Sequence, residues 1–276
     1  MAYEKGTATD HKNLLEKLAS FVASNGWTIE RNVLDGNERE LVIKSTGVTG
    51  QDSIYLIFRT NTLPDSDAYN IRCKVSSVYI ANSAFDTIVG ASPESVVYGW
   101  NAAMDYYFIV NNDRLMFMFT VSGVSQYYYG GNLQTYTSRG HWVSPLCNFG
   151  VGTDKNARWS SQGNDFSGWQ YIRGSNPCHL LDDTGIWGKP DYMFPTMDSS
   201  IVGNMRPYAN GDIALMPMFV RTSKRGLVGE LPGAFGCPGF GVSHAQELTH
   251  SDGRKFVILQ NVYRAGTGDY MALELS

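Results

Sequence analysis

Over residues 10–25 the apolar positions recur at helical spacing. Leu14, Leu15, Leu18, Phe21 and Val22 repeat at intervals of three and four, with Lys12, Glu16 and Lys17 between them, which predicts one amphipathic helix. Thr9 or Asp10 can cap its start. Gly26 supplies the stop, because a residue without a side chain accepts the left-handed conformation common beyond helix ends.

From Trp27 the period shortens to two. Short strands are predicted over residues 27–31 and 40–44 around an Asp35-Gly-Asn turn, and longer ones over 53–60 and 69–80. In the last of these Tyr69, Ile71, Cys73, Val75, Ser77 and Tyr79 share one face, while Asn70, Arg72, Lys74 and Ser76 share the other. That alternation predicts a half-buried antiparallel sheet. Residues 104–110 and 115–121 flank Asn111-Asn-Asp-Arg, a connection suited to a hairpin. Leu115, Phe117, Phe119 and Val121 are expected to face the core, and Met116 and Met118 to meet a second layer or form an apolar outer surface.

Residues 122–206 carry aromatic clusters and turn residues without a fixed repeat, and read as a loop-rich aromatic elaboration. Strand periodicity returns over 213–221, where Pro217 marks an edge or a bulge, and over 227–231 after a Lys224-Arg-Gly turn. A tightly turned passage through Gly233, Gly236, Gly239 and Gly241 then leads to strands over 255–260 and 269–275. The expected fold class is α+β, predominantly antiparallel β with an N-terminal amphipathic helix and long irregular loops. It forms a single composite structural domain over residues 1–276, with residues 1–30 as its helical segment.

Composition narrows the function classes. A chain of 276 residues can bury roughly 75% of its extended surface, so one large core needs no staple. Lys and Arg number 22 against 26 Asp and Glu, with the acidic excess in the N-terminal half, so no specific nucleic-acid partner is expected. No apolar run approaches the ~20 residues of a membrane helix, and the start lacks a signal-peptide pattern; the expectation is a soluble chain without membrane insertion. Cys73, Cys147, Cys178 and Cys237 form no close pair and read as buried free thiols.

The candidate chemistry is sparse. The five histidines make no HExxH motif, and Cys178 beside His179 is a thiol-base pair only if the two groups converge in space. Asp182, Asp183, Asp191 and Asp198 lack the spacing of a metal site or hydrolase pair and read as acidic loops. Gly236-Cys-Pro-Gly-Phe-Gly lacks the lysine and hydroxyl of a phosphate loop. The expectation is therefore a protein that is not an enzyme, with no catalytic residue, cofactor or metal. Sixteen Tyr, thirteen Phe and six Trp offer large contact areas, and Tyr127, Tyr128, Tyr129, Trp159, Trp169, Tyr171 and Trp187 are the candidate interface or glycan contacts.

Tyr3-Glu-Lys-Gly-Thr-Ala-Thr-Asp-His, the helix through Val22, Gly26-Trp27-Thr28 and Gly229-Glu-Leu-Pro-Gly-Ala-Phe together resemble virion proteins of tailed bacteriophages. Phe256-Val-Ile-Leu-Gln-Asn-Val-Tyr-Arg-Ala-Gly and Asp269-Tyr-Met-Ala-Leu extend the resemblance near the carboxyl end. It implies a structural component of the tail or baseplate, assembled in the host cytoplasm through contacts with other virion proteins and as a homo-oligomer. The alternatives are a tail-tip protein that binds a receptor or host surface glycan, and a cell-wall-degrading enzyme. The resemblance carries no catalytic residues across.

Overall fold

The computed structural model describes residues 1–138, 140–142, 144–158, 177–195, 200–261 and 266–276. It is an α+β fold dominated by antiparallel sheet, as the alternating pattern predicts. The outer sheet on one side holds β2 (Thr28–Asp35), β3 (Glu38–Ser45), β4 (Ile54–Leu63), β5 (Ala68–Ser76) and β6 (Ser95–Val97), adjacent in that order. A middle sheet runs β1 (Ala2–Ala8), β7 (Met104–Val110), β8 (Arg114–Val121), β9 (Val124–Asn132), β11 (Leu146–Phe149), β12 (Cys178–Leu181) and β13 (Trp187–Gly188). The third sheet runs β14 (Tyr192–Phe194), β15 (Met216–Thr222), β16 (Gly226–Cys237), β19 (Tyr270–Glu274), β18 (Lys255–Gln260) and β17 (Glu247–Thr249), with β10 (Gln134–Thr135) paired to β16.

The helix α1 (His11–Ala23) forms where the periodicity places it. The Asp10 carboxylate accepts from the backbone N–H groups of Lys12 and Asn13, both at 2.8 Å, satisfying two donors that a helix start leaves unpaired. Leu14, Leu15, Leu18, Phe21 and Val22 are buried, and the Phe21 ring lies 5.9 Å from that of Phe108. Just past the helix Gly26 holds φ +86°, the left-handed turn expected of it.

The middle sheet is covered on both faces, which explains the consecutive buried residues 115–119 of β8 and 125–132 of β9. On one face Phe58 of β4 meets Phe117 and Tyr128, with ring centroids 6.1 and 5.5 Å away. Met116 and Met118 alternate to the opposite face and are buried there, so they meet a second layer. On that face Tyr107 Oη donates to the Glu247 carboxylate of β17 at 2.9 Å. One continuous apolar core accordingly joins α1 and all three sheets.

Several expectations are corrected. Strand β5 is buried on both faces, because residues 77–95 fold over the face expected to meet water. There Arg72 pairs with Asp86 and Glu94 at 2.7 and 2.6 Å, and its guanidinium lies over the Phe85 ring. Asn70 on the same face donates to the carbonyls of Lys155 and Ala157. Within residues 122–206 the structure places strands β9 to β14, which tie parts of that stretch into the middle and third sheets. Gly233 and Gly236 lie within β16. Pro217 marks a bulge: the register of β15 on β16 shifts between Pro217 and Met218, and β15 has neighbours on both sides. All four cysteines are buried free thiols, as expected.

Candidate functional site

Of the seven expected contact residues, four lie among the described residues. Tyr127, Tyr128 and Tyr129 are consecutive in β9 with no exposed area, so they build the core between layers and present no contact surface. Trp187 is half-buried in β13, and its indole Nε1 donates to the Gly90 carbonyl at 2.9 Å. Trp159, Trp169 and Tyr171 lie outside the described residues, as does Asp198.

A cleft of about 370 Å³ opens between two turns. One is the 182–186 turn joining β12 to β13 in the middle sheet; the other is the 222–226 turn joining β15 to β16 in the third. Leu180, Trp142, Leu227 and Val228 give it an apolar lining, and charged side chains stand at its rim. Asp182 folds its own turn, accepting from the Thr184 N–H and hydroxyl and from the Ile186 N–H. Burial alone would raise the pKa of this carboxyl, but the Thr184 hydroxyl, the two N–H groups and the Lys224 charge outweigh it and hold it at about 2.

Two ion pairs join the turns across the rim. Asp183 pairs with Arg225 at 2.6 Å, and Lys224 stands 3.5 Å from Asp182. Asp191 accepts from the Ser223 N–H. The Asp182-Asp183 and Lys224-Arg225 dipeptides, 42 residues apart in sequence, therefore neutralise one another across the cleft. Among the described residues no group of three or more His, Cys, Asp or Glu side chains is placed to hold a metal ion. Sequence reading missed Trp142 and Leu180 as cleft residues, since an isolated apolar side chain carries no signal of the turn it will face.

The histidines have structural partners. Cys178 and His179 are adjacent in β12 and so point to opposite faces of the sheet. Burial pushes the Cys178 thiol well up and the His179 imidazole down to about 4, the reverse of a thiolate-imidazolium pair. Among the described residues the shortest hydroxyl-imidazole contact is Ser125 Oγ with His244 Nδ1 at 2.6 Å, and His244 Nε2 lies 3.2 Å from Thr120 Oγ1. Ser125 is buried and Thr120 is its cross-strand partner, so these contacts clasp the β8–β9 hairpin to the segment before β17. No family model matches the chain, and no curated protein matches it either.

Proposed function

We propose that this protein is a structural component of a tailed-phage particle, built into the tail or baseplate through contacts with other virion proteins and with further copies of itself. The observation that carries the reading is an open strand edge. Strand β2, eight residues long, pairs among the described residues only with β3 and ends the outer sheet. Its free side offers backbone N–H and C=O groups to an incoming strand, and Leu34 beside them is 61% exposed. A long edge of this kind is a template for strand addition from another chain. The resemblance of both chain ends to virion proteins supplies the setting.

The aromatic residues contribute by stiffening the chain, since a core shared by three sheets holds the edge in a fixed shape before assembly. Crosslinking of intact particles, read by mass spectrometry, tests the proposal. The expected result is a set of crosslinks from Lys12 and Lys44, which flank β2 in sequence, to tail proteins or to a second copy. Recovery of the protein only from host cytoplasm, with none in purified particles, would overturn it.

A further inference from the structure

We propose that Arg114 anchors a small site for an acidic saccharide, binding its carboxylate at the seam between the middle and third sheets. Arg114 begins β8, directly after the Asn111 turn, and its backbone N–H is fixed by the Asn111 carboxamide oxygen at 3.0 Å. Its Nε is buried without a hydrogen-bond partner, and no carboxylate lies within ion-pair distance of the guanidinium among the described residues. The other arginines withdrawn from solvent differ. Arg31 and Arg59 share Glu40, Arg39 takes Glu16, and Arg72 takes Asp86 and Glu94. Arg114 alone among them keeps an unanswered fork of donors, the geometry that receives a planar carboxylate through two parallel bonds.

Arg114 lines a pocket of about 270 Å³. Asn132, Gln134, Thr135 and Thr137 supply amides and hydroxyls, and Pro145 and Pro232 supply an apolar floor. This is the complement of a pyranose ring, which carries hydroxyl groups around an apolar face. The volume lies below the roughly 300–1,000 Å³ of drug-sized sites and suits one sugar unit. Gly233 of β16 stands beside the guanidinium, where a Cβ would lie 3.8 Å from Arg114 Nη2.

Asp113 decides between kinds of anion. It lines the same pocket, where it accepts from the Val48 N–H at 3.0 Å and from the Asn132 amide at 3.4 Å. A phosphate or sulfate carries charge on every exposed oxygen and is repelled by that carboxylate. A monocarboxylated sugar sets its acid on Arg114 and turns hydroxyl donors toward Asp113. The site is independent of the virion assignment, because the isolated chain contains all of it.

Calorimetric titration of the purified full chain with glucuronate, galacturonate and N-acetylneuraminate, against glucose, galactose and inorganic sulfate, tests this. At least one acidic sugar is expected to bind at least tenfold more tightly than the neutral sugars and sulfate. Arg114→Gln is expected to lose that binding tenfold or more at unchanged Tm, with Arg114→Lys intermediate. Equal binding of acidic and neutral sugars, equal or tighter binding of sulfate, no saturable binding of any acid, or an Arg114→Gln protein that binds like wild type would each overturn the proposal. Should Arg114→Gln not fold, the side-chain amide NMR signals of Asn132 and Gln134 in the wild type decide: shifts there on acid-sugar titration support the site, and shifts confined elsewhere refute it.

Discussion

Tyr128 packs its ring against Phe58 and Phe117, and its hydroxyl is buried without a hydrogen-bond partner. Two substitutions separate these features. Tyr128→Phe removes only the unanswered hydroxyl, so stability is expected to hold or rise by up to about 1 kcal/mol. Tyr128→Ala empties a ring-sized space in the middle of the stack and is expected to cost about 3–5 kcal/mol. Urea unfolding of both variants measures the contrast, and a small effect of Tyr128→Ala would remove the ring from the core. Sequence could identify Tyr127-Tyr-Tyr as important contact area but not its direction, since three consecutive rings on a strand face both sides and reveal neither partner. Arg114 was legible only as the last residue of a turn motif; that no described carboxylate forms an ion pair with it depends on how β8 and the third sheet meet.

Helix α1 was the most legible element, because its cap, its apolar stripe and its stop all lie within one local stretch. The cap gives an element-scale prediction. Asp10→Ala leaves two first-turn N–H groups without their acceptor and is expected to lower stability by ~1 kcal/mol, read as a shift of the urea midpoint; Asp10→Asn, which keeps the oxygen, should restore most of it. The hairpins around Asn111 and Lys224 were legible for the same local reason. Strands β2 and β3 were foreseen shorter than they are, since residues 32–34 lie on an exposed edge and are held extended by pairing with β3. The cleft was half legible: the paired aspartates and the Lys224-Arg-Gly turn were each visible in sequence, but not that they meet.

For the whole molecule, stacking three sheets places two histidines where water cannot reach them. His11 joins α1 to β4 through Thr62 Oγ1 at 2.9 Å, and His179 sits within the middle sheet. Burial lowers each imidazole to about 4, whereas in the unfolded chain it takes its proton near pH 6.5. Between those values the unfolded state binds more protons, so the stability these groups contribute is complete above about pH 6.5 and is lost as pH falls toward about 4. Urea midpoints measured from pH 7.5 down to 4.5 should therefore fall, and His179→Gln should flatten the fall; a midpoint independent of pH would count against both burials. The sequence by itself determined the α+β class, the single long helix, and most strands and hairpins, because cap residues, turn residues and periods of 3.6 and 2 are local properties of the chain. Only the tertiary structure decided which sheet each strand joins, that the middle sheet is covered twice, and which charges are left without partners. A strand's alternation reports at most one covered face; a second layer and the partner of a buried charge come from residues far away in sequence.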